Sequence, residues 1–206
     1  EFSEGLGYEL RRGLHSAQRL PAIAAYDENR CNEVLDTLQN TTQVPTLRLN
    51  TVFRQQPWTR NDWPAALSGM PDDVAQQWQS QIDLLKHNNT APDHRFADWS
   101  LFLISRLLER KVPIAAGTDT PIGLGIPGYS LHTELELLVA GGMTPTQALY
   151  AATVAPTHFF NNTDQIGQIK PGMTADLILL NANPLDDISN TRNIAAVMTG
   201  GTWIRR

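Results

Sequence analysis

Apolar residues spaced three and four positions apart predict three helices in the first half of the chain, over residues 24–38, 71–87 and 96–110. Asp27 stands where it can cap the first helix. The second helix begins with two acidic residues, of which Asp72 is the first, near the positive end of the helix dipole. The pattern therefore indicates a helix-rich first half.

The segments between and after these helices predict strands and one packed loop. Residues 43–51 alternate between polar and apolar side chains, as a short strand does. Residues 54–70 contain two Trp residues, too much aromatic surface for a simple spacer, and predict a packed loop. Residues 112–117 are apolar or small and lead directly to Asp119, which is typical of a buried parallel strand that presents a carboxylate at its C-terminal end.

The second half of the chain changes character near residue 161. Before it, capping-box patterns predict helices that begin at Thr133 and Thr144. After it, short apolar segments alternate with Pro and Gly turns and predict strands over residues 168–170, 177–180, 194–198 and 203–204. We therefore expect an α/β part over residues 1–160 and a small β part over residues 161–206.

The composition limits the classes of partner. The 206 residues carry 16 Lys and Arg against 21 Asp and Glu, a net charge of −5, which argues against nucleic acid as a partner. The single Cys31 excludes a disulfide framework within these residues, so a metal site would use His, Asp and Glu. No apolar stretch approaches the ~20 residues of a membrane span, and no membrane partner is expected. One Cys fits a reducing or an oxidising compartment, with the cytoplasm slightly favoured.

Asp119 and His132 are the two candidates for chemistry. A carboxylate at the end of a buried strand lies where open sheets and barrels place their sites, although Asp119 could instead satisfy backbone donors of the following loop. His132 lies beside a predicted helix start and could contact a ligand or simply pack. The other histidines are expected to be solvated or to pack, at His15, His87, His94 and His158.

Three motifs carry a resemblance to a known family. They are Gly117-Thr118-Asp119-Thr120, the segment Leu131-His132-Thr133-Glu134-Leu135, and Pro171-Gly172-Met173-Thr174-Ala175-Asp176-Leu177. In this order they resemble the last barrel strand, the following helix and the closing β segment of the metal-dependent amidohydrolase superfamily. The resemblance is nearest to its imidazolonepropionase-like and prolidase-like branch.

The resemblance implies a (β/α)8 TIM barrel that binds one or two divalent metals, commonly zinc. It also implies hydrolysis of a C–N bond in a small molecule, such as an amide, a cyclic amide or a dipeptide. Asp119 matches the family's strand-eight Asp, which binds the metal and takes a proton from the attacking water. His132 matches a His that is often seen in this segment, and the resemblance implies a contact with substrate.

These residues also depart from the family pattern. The His-x-His pair, the Lys or Glu and the two later His residues that complete the family's metal site are not recognisable. By the resemblance, residues 1–160 would hold strands seven and eight with flanking helices, and residues 161–206 part of an accessory β-sandwich. We therefore expect the C-terminal portion of a metal-dependent hydrolase, without a complete metal site of its own. The alternative is an inert scaffold that assembles with an N-terminal segment or as an oligomer.

Overall fold

A computed structural model describes residues 20–21, 23–87 and 94–204. Its α-helices, in chain order, are α1 (Glu28–Thr37), α2 (Leu47–Asn50), α3 (Val52–Gln55), α4 (Trp63–Leu67), α5 (Asp72–His87), α6 (Arg95–Glu109), α7 (Tyr129–Ala140), α8 (Pro145–Thr153) and α9 (Ala155–Phe159). The remaining elements are 3-10 helices at Pro57–Thr59 and Ile188–Arg192 and the strands β1 (Leu177–Leu180), β2 (Ile194–Thr199) and β3 (Thr202–Ile204). None of these helices is long and apolar enough to cross a membrane.

The three long helices predicted in the first half are confirmed as α1, α5 and α6. Asp27 caps α1, because its carboxylate accepts the backbone N–H of Arg30 at 2.8 Å. The predicted packed loop at residues 54–70 is also confirmed. It contains α4, whose Trp63 is buried in a cluster with Trp78, Ile82, Leu124 and Ile126.

The predicted strand at residues 43–51 is wrong over most of its length. Only Gln43 pairs, in a parallel bridge with Ile114. The chain then turns at Thr46, which has a φ of 51°, and α2 begins at Leu47. Pro45 has no N–H to extend a ladder, and a buried carboxylate described below binds the first amides of α2.

The predicted strand at residues 112–117 is likewise reduced to the bridge at Ile114. Its direction is parallel, as predicted, with N–H to carbonyl hydrogen bonds from Gln43 to Pro113 at 2.8 Å and from Ala115 to Gln43 at 2.9 Å. Pro113 cannot donate to a neighbouring strand. The segment is nevertheless buried at Val112, Ile114 and Ala115, and the first two belong to the same core as residues of helices α1, α6 and α7.

The two predicted helix starts in the second half have different outcomes. Thr144 and Gln147 form both hydrogen bonds of a capping box at the start of α8, which confirms that prediction. The start predicted at Thr133 is wrong, because α7 already begins at Tyr129 and Thr133 is buried within the helix. Gly128, with a φ of 75°, reverses the chain before the first residue of α7.

The end of the described chain is a three-stranded antiparallel sheet in the order β1-β2-β3. The predicted strand at residues 168–170 is absent, and those residues are irregular. Gly200 and Gly201, both with positive φ, connect β2 to β3. Among residues 161–204 this is a single sheet, so the described residues show no second layer of a β-sandwich.

Candidate active-site loop

Asp119 lies in an irregular loop, residues 118–128, that follows the bridged Ile114 and precedes α7. We call these residues the Asp119 loop. The backbone of Asp119 adopts a φ of 50°, and its carbonyl accepts the N–H of Ile122 at 3.0 Å. The side chain is exposed, and its carboxylate has no hydrogen-bond partner among the described residues. A carboxylate in this state is accessible to a ligand.

Arg48, in α2, holds the backbone of this loop through side-chain hydrogen bonds. It is only 5% exposed, and its guanidinium donates to four carbonyls of the loop. Those of Gly123 and Asp119 lie at 3.0 and 3.1 Å and that of Ile122 at 2.5 Å, and the fourth belongs to Thr118. Because charge-assisted hydrogen bonds are stronger than neutral ones, this arrangement restrains the backbone on both sides of Asp119.

Glu134 in turn fixes Arg48. It projects from α7, is fully buried, and accepts the backbone N–H groups of Leu47 at 2.9 Å and Arg48 at 2.7 Å. These two amides open α2, where a negative charge is favourable. The Asp119 loop and the helix that follows it are thus joined to α2, which lies 70 to 87 residues earlier in the chain, through one carboxylate and one guanidinium.

Burial dominates the electrostatics of both groups. It raises the pKa of Glu134 to about 7, although the hydrogen bonds from the Arg48 and Leu47 amides and the charge of Arg48 act in the opposite direction. Burial also lowers the pKa of Arg48, while the charges of Glu134 and Asp119 raise it. The two groups therefore partly compensate each other's loss of water.

A small cleft adjoins the Asp119 loop. Its lining includes Arg48, Gly123 and Leu124 from the elements just described, and its remaining walls come from Val52, Gln55, Pro57, Ser130 and Thr133. Neither Asp119 nor His132 lines it.

The structure does not bring His132 to Asp119. Its Nδ1 lies 3.0 Å from the hydroxyl oxygen of Thr191, in the 3-10 helix at Ile188–Arg192. Burial and then the nearby Arg192 lower the pKa of His132, which favours the neutral imidazole. Among the described residues, no hydrogen bond or ion pair connects the His132 and Asp119 side chains.

A second polar group lies beside His132 and ties the loop before α4 to α7. Arg192 pairs with Glu136 at 2.6 Å and with Asp62 at 3.8 Å, and its guanidinium lies 4.9 Å from the centre of the Tyr129 ring. Tyr129 donates its hydroxyl to Asp62 at 2.7 Å. Burial and the bond to Asp62 raise the pKa of Tyr129 to about 12, so this hydroxyl stays protonated.

The other histidines gain no role from the structure. His87 contacts the Asp83 carbonyl of its own helix at 2.6 Å, and His94 and His158 are exposed. His15 lies outside the described residues.

The described residues do not form a metal site by themselves. Across residues 20–21, 23–87 and 94–204, no three His, Cys, Asp or Glu side chains are grouped so that they could hold an ion. A catalytic zinc takes about three protein ligands plus water, and Asp119 would supply one of them. The donor set present here therefore does not fit a complete metal centre.

Sequence reasoning singled out Asp119, which stays a prediction as a site residue, and did not single out Arg48 and Glu134. A signal for Glu134 was present, because it shares a helical face with the apolar Leu131 and Leu138 at spacings of three and four. A carboxylate on such a face is buried and needs partners. The corresponding signal for Arg48 is weaker, since one Arg in an alternating segment is also typical of an exposed strand position.

Comparison with known proteins places these features in a family context. A family model described as the amidohydrolase family matches residues 100–204. Ochratoxinase of Aspergillus niger is 40% identical over 94 residues, which is 45% of this chain and 18% of ochratoxinase. Imidazolonepropionase of Geobacillus kaustophilus is 36% identical over 77 residues, 37% of this chain and 18% of that enzyme.

Two solved structures are also similar to this chain. The crystal structure of A. niger ochratoxinase matches 86% of this chain and 34% of its own, with a TM-score of 0.54 and 26% identity. A Xaa-Pro dipeptidase crystallised with methionine in its active site matches 84% of this chain and 37% of its own, with a TM-score of 0.60 and 22% identity. The chain thus spans 18% of these sequence relatives and little more than a third of these solved chains.

Proposed function

Because the chain belongs to the amidohydrolase family, we propose that the protein containing it hydrolyses a carbon–nitrogen bond of a small molecule, with Asp119 moving the proton. The observation that carries this proposal is the exposed Asp119 carboxylate, which has no hydrogen-bond partner among the residues that the structure describes, on a backbone that Arg48 holds through four carbonyls. A group that must first accept and then release a proton has to be held within hydrogen-bond reach of the atoms between which the proton moves.

In the proposed reaction, the Asp119 carboxylate accepts a proton from the water that attacks the carbonyl carbon. The resulting carboxylic acid then protonates the leaving nitrogen, which restores the carboxylate. A divalent metal such as zinc, where bound, supplies a water of lowered pKa. Since no three of the described side chains are grouped so that they could hold an ion, further ligands would come from outside them, in a TIM barrel that this chain helps to form.

His132 is proposed as a substrate contact, on the resemblance alone. The relatives bear the names of enzymes with different substrates, so the proposal stays at the class of bond.

The test is a hydrolysis assay on the purified full-length protein. Its substrates are N-acyl amino acids, dipeptides and cyclic amides, and it is run after chelation and again after zinc is restored. We expect cleavage of at least one class, its loss on chelation and its return with zinc. Metal-loaded, folded protein that cleaves no C–N bond in any class would contradict the proposal.

A second candidate is a scaffold that works by assembly. The observation in its favour is the sheet at the end of the described chain, whose Ile178 and Ile204 are 57% and 51% exposed. Apolar residues in this state are typical of a surface that another element covers. Metal analysis of the folded full-length protein separates the two candidates. Bound stoichiometric zinc supports the hydrolase, and a protein that binds no zinc supports the scaffold.

A further inference from the structure

The contacts of Arg48 use nearly all of its hydrogen-bonding capacity on one loop. A guanidinium has five N–H groups, and four of them here meet carbonyls of residues 118, 119, 122 and 123. No carboxylate accepts from the Arg48 side chain among the described residues. Arg48 therefore binds the backbone of the Asp119 loop and does not form a conventional ion pair among these residues.

The Asp119 loop is shaped to receive this guanidinium. A Cβ atom added at Gly125 would lie 2.5 Å from the guanidinium carbon and both terminal nitrogens of Arg48. A Cβ added at Gly123, where φ is 58°, would collide with Leu49, the residue next to Arg48. Two glycines thus permit a close approach that any larger residue would block.

Glu134 supplies the other half of the arrangement. Its two oxygens accept adjacent amides at 2.9 and 2.7 Å, which fixes the direction in which α2 presents Arg48. Burying a carboxylate and a guanidinium costs more than burying apolar side chains of similar size, so packing alone does not account for them. The cost is consistent with a requirement for one particular backbone arrangement.

We propose that Glu134 and Arg48 are positioning residues that together set the conformation of the loop carrying Asp119. Glu134 orients the start of α2, α2 directs Arg48, and Arg48 holds the carbonyls on both sides of Asp119. The role assigned to Asp119 rests on the proposed function, whereas the control of the loop conformation can be measured without it.

The first readout is hydrogen exchange of the loop amides in the purified full-length protein. The Ile122 amide donates to the Asp119 carbonyl at 3.0 Å and reports on the turn that holds Asp119. In Arg48→Lys, one ammonium cannot reach four carbonyls, and in Glu134→Gln one backbone amide loses its acceptor. We expect exchange in the peptide covering residues 117–128 to become at least about tenfold faster in both variants.

The matched controls make the same two substitutions, Arg to Lys and Glu to Gln, at positions away from the Asp119 loop. Arg110→Lys alters an Arg whose guanidinium pairs with Asp36 at 3.0 Å on the surface, and Glu33→Gln alters an exposed carboxylate of α1. Both controls should leave exchange in this peptide unchanged. If either test variant does not fold, Gly125→Ala replaces it, because it retains both charges and displaces only the guanidinium.

The second readout is turnover. A misplacement of about 1 Å can cost about 100-fold in rate, so we expect kcat per folded molecule to fall by that order in both test variants. A purely structural role would lower Tm and leave that kcat unchanged. Unchanged loop exchange, or faster exchange with kcat retained, would overturn the positioning role. Faster exchange in the two variants, together with a wild-type protein that cleaves no C–N bond, would support control of the loop and overturn the proposed function instead.

Discussion

Glu134 lies on an apolar face of α7, between Leu131 and Leu138, and has no exposed surface. An ionised carboxylate in this position loses its water and regains only two backbone amides and the field of Arg48. Its protonation state should therefore affect the stability of the fold.

We predict that the stability of the protein falls between pH 5 and pH 8 because of Glu134. Burial raises its pKa from 4.5 to about 7 in the folded state. The unfolded chain therefore releases this proton at a lower pH than the folded chain does. The resulting stabilisation is complete below the unfolded pKa and is lost as the pH rises through the folded pKa. The shift corresponds to roughly 3 kcal/mol in the free energy of unfolding.

Urea unfolding of the wild type and Glu134→Gln across this pH range measures the effect. The wild type should lose roughly 3 kcal/mol relative to Glu134→Gln, which has no proton to release at this position. Glu33→Gln should follow the wild type. Parallel pH dependences for the wild type and Glu134→Gln would show that Glu134 does not titrate in this way.

The sequence predicted the position of Asp119 at the residue scale, because a short apolar segment that ends in Gly-Thr-Asp can be recognised locally. Arg48 and Glu134 had local explanations that were also plausible. The first fitted an outward position of a strand, and the second fitted the interior of a capping box that begins at Thr133. Their actual roles depend on contacts 70 to 87 residues away along the chain, which no local pattern contains.

The same distinction holds at the scale of elements. The helices α1, α5 and α6 were predicted because their apolar periodicity and end residues are local properties. The strands at residues 43–51 and 112–117 were predicted from the same kind of pattern, but a strand also needs partners for its backbone groups. Within the described residues these segments find one bridge, between Gln43 and Ile114.

The capping box of α8 allows a direct test of local reasoning. Thr144 accepts the Gln147 amide at 3.2 Å, and the Gln147 side chain accepts the Thr144 amide at 2.8 Å. We predict that Thr144→Ala lowers the free energy of unfolding by about 1 kcal/mol, because it leaves one amide at the start of α8 without its partner.

Urea unfolding at neutral pH measures this difference, with Thr146→Ala as the control. Thr146 is exposed within the first turn of the same helix, and its replacement should be close to neutral. Equal losses in the two variants would mean that helix propensity, and not the capping box, governs the start of α8.

At the scale of the whole molecule, the three-stranded sheet exposes apolar side chains of its strands to solvent. Ile178 pairs with Val197, which pairs with Ile204, so these three side chains form a row on one face. The two outer members are more than half exposed. The division at residues 160 and 161 and the second sheet of an accessory domain stay predictions, since sequence patterns do not indicate what covers a sheet.

We predict that the purified 206-residue chain associates through this row. Sedimentation velocity should show an average mass that rises with concentration, and Ile178→Asp should lower that mass, because a charge within the row opposes burial. Ile169→Asp is the control, since Ile169 is 87% exposed and lies outside the sheet. A wild-type chain that stays monomeric at all concentrations would contradict the prediction.

The central claim concerns the whole protein, in which the described residues supply one carboxylate and the framework that holds it. The most direct test is kcat/KM for C–N bond hydrolysis by the full-length Asp119→Asn variant, with the exposed Asp164→Asn as the matched control. We predict a loss of roughly 100-fold or more for Asp119→Asn, no change for Asp164→Asn, and wild-type Tm for both. Wild-type kcat/KM in a folded Asp119→Asn protein would contradict the claim.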